Sequence, residues 1–203
     1  MSNWYLQNGK ESDVVISTRV RLARNLDGFN FVNRCTKEER KKIIDKIEDI
    51  LPSIGYELKL FKLNDMDDIT KKSLVEKNVI SPEFAMKDGD GYAILMNNEE
   101  NICIMVNEED HLTIQVFAEG LDIESSLALA IEVDKKIGKL VKYAYSEKYG
   151  YLTACPTNLG TAARISTMVH LPALTQTGNV SKILIFASNF GMNIRGTYGE
   201  GTE

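Results

Sequence analysis

The sequence predicts an α+β fold: a mostly antiparallel β-sheet with helices packed against it. Gly91 to Phe117 holds three β-rich runs separated by polar clusters, and the first break, Asn97 to Glu100, reads as a hairpin connection, so neighbouring strands run antiparallel. Two longer segments repeat their apolar residues at helical spacing: Ile43, Ile44, Ile47, Ile50 and Leu51, then Leu127, Ala130, Ile131, Ile137, Leu140, Val141 and Ala144. A mixture of hairpins and longer helices is the α+β pattern.

In chain order, Asp13 to Ile16 is a short apolar run suited to a strand, feeding STRVRLARN at Ser17 to Asn25. Thr36 followed by Glu39 is a capping box, so a helix starts there, and Pro52 is expected to stop it. Tyr56 to Leu63 alternates as a strand does, and Asp65 to Lys77 has the look of a short polar helix. The second long helix is expected over Ile123 to Tyr145. Beyond Gly150, Arg164 to Leu171 reads as a strand, Val180 to Phe190 as a helix and Met192 to Thr197 as another strand.

With 203 residues, 24 basic against 29 acidic side chains, a net charge of −5 and 43% apolar residues, the chain reads as one globular domain. A chain of this size buries roughly 70% of its unfolded surface, so neither disulfides nor a structural metal is required. The negative balance argues against direct nucleic-acid binding, which needs a basic field, although local arginines can still oppose the net sign. Cys35, Cys103 and Cys155 form no CxxC pair and suit a reducing compartment. The lead MSNWYLQNGKESD has no signal-peptide pattern, and no apolar run approaches the roughly 18 residues of a membrane span. The expectation is a cytoplasmic protein with no membrane partner.

Several segments could carry chemistry. On an extended chain Arg19 and Arg21 share a face and form a double fork suited to phosphate oxygens. Read alone, they are equally solvated strand-edge arginines, and the same holds for Arg164 and Arg195. NEEDH at Asn107 to His111 is either an exposed acidic turn or a carboxylate site for a cation, whether metal or guanidinium. His111 and, still more, His170 read as structural histidines. CPTNLGT at Cys155 to Thr161 joins a cysteine to a proline-fixed turn. Cys155 is either an inert small residue or, beside a cation, a thiolate wall of a site. There is no GxxxxGK[ST], no GxGxxG after a strand, no HRD and no DFG, which excludes P-loop and ordinary kinase folds.

Taken in order, STRVRLARN, NEEDHL, CPTNLGT with Arg164, and RGTYGEGTE resemble the ATP:guanido phosphotransferases. EKNVISP at Glu76 to Pro82, GYLTACPTNLGT at Gly150 to Thr161 and HLPAL at His170 to Leu174 look most like the bacterial branch that phosphorylates arginine on proteins. The likeness runs from about Glu11 to Glu203. It implies one catalytic domain over residues 1–203, of the phosphagen kinase and glutamine synthetase type, cut short of the family's C-terminal end. RGTYGEGTE, with three glycines in nine residues, itself reads as either a flexible terminus or a chain cut inside a functional loop. Kinases of small guanidino substrates carry a helical domain ahead of the first block, so the short lead here favours an arginine presented on a protein.

The resemblance implies ATP and Mg²⁺ as cofactors. It implies a nucleotide cleft formed by Ser17, Thr18, Arg19, Val20 and Arg21, by Arg164, Ile165, Ser166, Thr167 and Met168, and by Arg195, Gly196, Thr197, Tyr198, Gly199 and Glu200. It implies catalytic roles for Glu109, Glu203 and Cys155, and no protein metal ligand. Its partners would be arginine-containing protein substrates, a zinc-containing activator protein, a heat-shock repressor and a protease-linked unfoldase. Asn78 departs from the family's nucleotide-contacting histidine and Thr113 from its phosphate-touching arginine. A kinase of a small guanidino compound and an inactive arginine- or phosphoarginine-binding relative remain the alternatives.

Overall fold

Strand β1 (Val15–Arg24) alternates buried and partly exposed residues along its whole length, as a strand between two faces of unlike polarity must. In the computed structural model, which describes residues 3–194 and 196, it lies inside a six-stranded sheet. The other strands are β2 (Lys59–Lys62), β3 (Ala93–Met96), β4 (Ile102–Val106), β5 (Leu112–Glu119) and, after the small β6 (Tyr145–Ser146) and β7 (Gly150–Tyr151) pair, β8 (Ala163–Val169). Their order is β2-β3-β4-β5-β1-β8 and every neighbouring pair is antiparallel.

One face carries Val20 and Leu22 of β1 with Ile104, Val106, Ile114 and Val116, and is covered by helices α1 (Lys37–Ile54) and α4 (Ile123–Gly138) through Ile43, Ile44, Ile47, Ala130, Val133 and Ile137. The other face is covered only over β3, β4 and part of β5. There Ile94, Cys103, Met105 and Phe117 pack under Trp4, Leu63, Leu74, Val79, Ile80 and Phe84, brought by the N-terminal turn, α2 (Asp68–Glu76) and α3 (Pro82–Ala85). The helices α5 (Pro172–Gln176) and α6 (Val180–Asn189) follow β8.

The capping box forms as expected: Thr36 Oγ1 accepts from Glu39 N at 3.2 Å and Thr36 N donates to Glu39 Oε2 at 2.9 Å. Pro52 does not stop α1, which runs on to Ile54. A proline this near the end forfeits one hydrogen bond, and full burial of Ile54 offsets it before Gly55, at φ +84°, turns the chain. Tyr56 and Glu57 have φ near +61° and +49°, so the expected strand begins only at Lys59. The polar helix starts at Asp68 because the Asp67 carboxylate accepts from Thr70 N at 2.7 Å.

The long helix ends at Gly138 rather than Tyr145. The Tyr143 ring packs so closely that a Cβ on Gly138 would sit 3.1 Å from it, and Tyr145 instead pairs with Tyr151 in the small hairpin. Short α3 is not among the elements expected from the sequence, although Ser81 before Pro82 is a cap signal: Ser81 Oγ accepts from Phe84 N at 3.1 Å. Residues 192–194 form no strand, and Arg195 and Thr197 lie outside the described residues.

A buried ion pair ties β1 to α4. Arg24 Nε and Nη2 donate to the two Asp134 oxygens at 2.9 and 2.8 Å, and the guanidinium stacks 3.5 Å over the Tyr151 ring. Both side chains are nearly sealed from water. Arg24→Met therefore strands a buried carboxylate and should cost about 3–5 kcal/mol in denaturant unfolding; a loss under about 1 kcal/mol would show that the pair does not hold the helix to the strand.

Candidate functional site

The uncovered part of the sheet is where the charged residues gather. Because β1 alternates, Arg19 and Arg21 lie on the face opposite Val20 and Leu22. Across the β1–β8 pair Arg21 faces Arg164 and Arg19 faces Ser166; across the β1–β5 pair Arg19 faces Phe117, Arg21 faces Gln115 and Ala23 faces Thr113. Opposed residues of an antiparallel pair point to the same side, so Arg19, Arg21 and Arg164 share one sheet face with Ser166 and with the buried Thr113. Burial, then the like charge of Arg164, pushes the Arg19 guanidinium down from its ordinary value. It stays charged, since arginine starts above about 12. Among the described residues neither Arg19 nor Arg164 has a carboxylate within ion-pair distance. Like charges held together in this way favour a polyanion.

Not every residue of the expected cleft faces it. Val20 lies wholly in the core, and Thr18 points to the α4 side, where its Oγ1 donates to Gly120 O at 2.7 Å and accepts from Asp122 N at 3.1 Å. Ser17 and Met168 face each other on the arginine side, whereas Ile165 and Thr167 alternate away from it. The backbones of these residues form the β1–β8 pair itself. Arg195, Thr197, Tyr198, Gly199, Glu200 and Glu203 lie outside the described residues; Gly196 forms a lone β-bridge.

The acidic segment is the turn between β4 and β5, closed by Asn107 N donating to His111 O at 2.9 Å. Asn107 takes φ +64°, and its Nδ2 donates to Gly91 O at 2.8 Å and Arg40 O at 3.1 Å, so the turn is clamped from beneath. Asp110 is buried: its Oδ1 accepts from Asn25 Nδ2 at 2.5 Å and from Ala154 N at 2.7 Å. Asn25 in turn accepts from His111 N at 2.9 Å and donates to Leu152 O at 3.0 Å. One carboxylate thus joins the end of β1, the acidic turn and the loop bearing Cys155.

Glu109, next to Asp110, is left exposed at the tip. Partial burial, then the charges of Asp110 and Glu108, raise its carboxyl above the ordinary glutamate value, while Arg164 and Arg21 pull it the other way. Glu109 thus lies within electrostatic reach of two of the three clustered arginines.

Cys155 is partly exposed, with Sγ 3.0 Å from Thr157 Oγ1. Burial raises the thiol of Cys35 and pushes that of Cys103 up to about 12, so Cys155 is the accessible thiol of the three. The loop behind it depends on Gly150, at φ +73°, where a Cβ would meet Gly160 O at 2.5 Å. The sequence pattern does not single out Asp110 or Asn25, although both sit inside the NEEDH and STRVRLARN segments; the signal is their adjacency to the charged residues.

The family profile "ATP:guanido phosphotransferase, C-terminal catalytic domain" matches residues 39–203. The chain belongs to this family. It is 44% identical over 204 residues to the protein-arginine kinase of Halothermothrix orenii and 39% identical over 203 residues to that of Clostridium tetani, in each case over 100% of this chain and 58% and 59% of the relative. The chain thus spans about three-fifths of the length of the curated relatives it matches. Its structure is similar to the duplicated taurocyamine kinase of Schistosoma mansoni with bound transition state analog components, at a TM-score of 0.83 and 31% identity over 99% of this chain and 29% of that one. A lombricine kinase shares the fold, at a TM-score of 0.77 and 24% identity over 95% of this chain and 57% of that one.

The two departures from the family sit differently in this frame. Asn78 follows the C-terminus of α2 at φ +57°, with its N–H on Val75 O at 2.9 Å, a helix-ending position that asparagine tolerates well; its own carbonyl accepts from Arg19 Nη1 at 3.3 Å. Thr113 lies on the arginine side of β5, mostly buried.

His111 is structural, as read from the sequence. Its Nδ1 accepts from Leu26 N at 2.9 Å, so Nε2 carries the proton and donates to Asn30 O at 2.8 Å; burial pushes its pKa down. His170 is instead exposed, anchored through its backbone N–H to Val14 O at 2.8 Å, because β8 is an edge strand. The His111 shift has a sign that can be checked. The unfolded chain takes up a proton near pH 6.5 and the folded one only lower, so stability present above about 6.5 is lost as the pH falls below it. An NMR titration of the His111 ring should give a midpoint below 6.5, and one at or above it would contradict the buried neutral imidazole.

Proposed function

We propose that this chain carries the catalytic centre of a protein-arginine kinase, which transfers the γ-phosphoryl group of ATP to arginine side chains of proteins. The observation that carries the reading is the meeting of Arg19, Arg21 and Arg164 on one open sheet surface with the Glu109 carboxylate at its edge. The similarity to curated protein-arginine kinases over the whole of this chain supports it.

Arginines hold and neutralise the triphosphate, and the carboxylate holds the guanidinium of the substrate. An arginine nitrogen is a poor nucleophile while protonated and delocalised, so the site must align it with the γ-phosphorus and accept a proton. In this mechanism a guanidinium nitrogen attacks the γ-phosphorus, the N–P bond forms as the bond to the bridging oxygen of ADP breaks, and the lost proton goes to a carboxylate. Glu109, its carboxyl already raised, is the better base for that shift. Glu203, the other acid of this reading, lies outside the described residues, and the Cys155 thiolate would orient the guanidinium.

Phosphoryl transfer is mostly positioning and charge stabilisation. ATP is the nucleotide of this reading and Mg²⁺ would neutralise its phosphates. Among the described residues no group of three or more His, Cys, Asp or Glu could hold a metal ion, and Mg²⁺ would be held largely by ATP oxygens and water. Free thiols at all three cysteines support a reducing, cytoplasmic setting, and no helix among the described residues is long and apolar enough to cross a membrane. The family resemblance extends the reading to stress-response partners: an activator protein, a heat-shock repressor and a protease-linked unfoldase.

The test is acid-labile phosphate on an arginine-containing protein incubated with Mg-ATP, detected by mass spectrometry under non-acidic conditions; transfer to free arginine alone would favour the small-substrate reading. Glu109→Gln should abolish transfer while leaving thermal stability at neutral pH unchanged or slightly higher, since it removes a carboxylate whose ionised form the fold disfavours. Full activity would refute the role. Because Glu109 must be ionised to act and its carboxyl is raised, the acid limb of the pH–rate profile should lie above the ordinary glutamate value of about 4.3. Thr113 leaves one phosphate position without an arginine. A charge pair at 4 Å is worth about 4 kcal/mol at an effective dielectric near 20, so Thr113→Arg should speed transfer by about two to three powers of ten where the variant folds. An unchanged rate in a folded Thr113→Arg would remove that position from the phosphate site.

A further inference from the structure

At the opposite end of β5 from Glu109 lies a second cavity, of about 490 Å³, which the mechanism above does not use. Its lining includes Glu99, Glu119 and Asp122 and, deeper, Trp4, Phe117 and Ser126. Eight strand residues at about 3.4 Å each put it roughly 25 Å from the acidic turn and Glu109, while Phe117 on its wall stands opposite Arg19, so the cavity borders the far end of the arginine surface.

Ser126 is the observation that marks this cavity as a site. It is only 3% exposed, it lines the cavity, and among the described residues its Oγ has no hydrogen-bond partner. It stands in the first turns of α4, where side chains lean back toward the helix start and so toward the cavity. A buried hydroxyl without a partner is costly unless something binds it. The walls are fixed beforehand. Trp4 stacks on Phe117 with ring centroids 5.3 Å apart, its indole N–H donates to Glu100 O at 3.0 Å, and Gly9 packs so tightly on Glu119 that a Cβ would meet its carbonyl at 2.2 Å.

The charge decides the class of ligand. A helix start carries about half a positive charge and would draw an anion, but three carboxylates outweigh it sixfold. Asp122 spends one oxygen on Ser125 N at 3.3 Å and Glu99 one on Asn97 Nδ2 at 2.9 Å, which leaves both able to accept more. Among the described residues no lysine or arginine forms an ion pair with any of the three. Several separated acceptors beside an aromatic wall match the five donors and flat faces of a guanidinium better than the single point of an ammonium.

We propose that this cavity is a docking site for a second arginine side chain of the polypeptide substrate, separate from the arginine that is phosphorylated. The identification of the ligand as part of a substrate rests on the kinase reading; the cationic specificity of the cavity does not. An extended segment of about seven or eight residues spans the gap, so the site selects polypeptides with two arginines at about that separation.

Trp4 is the only tryptophan in the chain and lines this cavity, so its emission reports on it. The probes are N-acetyl-arginine amide and its neutral isostere N-acetyl-citrulline amide, titrated into the full chain. The arginine probe should shift Trp4 emission saturably and the citrulline probe should not. Glu119→Gln combined with Asp122→Asn, which keeps a good helix cap, should weaken binding about tenfold. Ser126→Ala should weaken it severalfold with no loss of thermal stability, whereas Glu109→Gln should leave the Trp4 titration unchanged. No Trp4 response to the arginine probe, an equal response to citrulline, or loss of the response in Glu109→Gln would overturn the proposal. A normal Trp4 titration in a chain that transfers no phosphate would instead sink the kinase reading and leave the cavity's specificity standing.

Discussion

The pairing of β1 on both of its edges is the constraint on which the rest depends. A strand bonded to β5 on one side and β8 on the other cannot slip by a single residue without moving Val20 and Leu22 out of the core and Arg19 and Arg21 into it. Driving two guanidiniums into an apolar core is far costlier than any register error could recover, so the hydrophobic pattern of one strand fixes where the charged forks stand. The face they occupy is open because α2, α3 and the N-terminal turn stop short of it. Core and site are two sides of the same ten residues.

A second constraint brings in the acid. Asp110 would be a liability as a buried carboxylate, but the donors of Asn25 and Ala154 satisfy it, and the knot they make joins three distant segments. Partial burial first, and then the negative charge of Asp110, raise the Glu109 carboxyl above its ordinary value, while Arg164 and Arg21 pull it the other way. The same aspartate therefore positions Glu109 and tunes it. The structural acid and the acid proposed to be catalytic stand side by side in the NEEDH segment and are told apart only by which of them is sealed from water.

Much of this was legible in the sequence. The three central strands, the capped α1 and the shared face of Arg19 and Arg21 follow from period-two and period-3.6 patterns, which are local. What was not legible is set by tertiary contact. Pro52 fails to end α1 because Ile54 has a core to enter. Α4 ends seven residues early because Tyr143 folds back on Gly138. His170 looks buried in its apolar neighbourhood, yet it follows an edge strand. At the site, the block order pointed to Arg19, Arg21, Arg164, Glu109 and Cys155, but not to which neighbours face the core. Thr18 and Val20, taken with the cleft, point away from it, and nothing in the linear pattern revealed that Asp110 reaches Ala154.

The two departures from the family pattern show why a substituted position has to be weighed by its backbone as well as its side chain. Asn78 sits where α2 must reverse, in a left-handed conformation that asparagine accepts at little cost, and it supplies Arg19 with a carbonyl whatever its side chain is. Part of what the position does for the arginine surface is thus done by the main chain and survives the substitution. Thr113 has no such cover. Its strand pairing to Ala23 and Met105 asks only for an extended residue, so the backbone contributes the same at this point with any side chain, and the whole consequence of the change falls on the side chain. Of the two, Thr113 therefore leaves its whole difference in the side chain, whereas the main chain at Asn78 keeps its contact with Arg19.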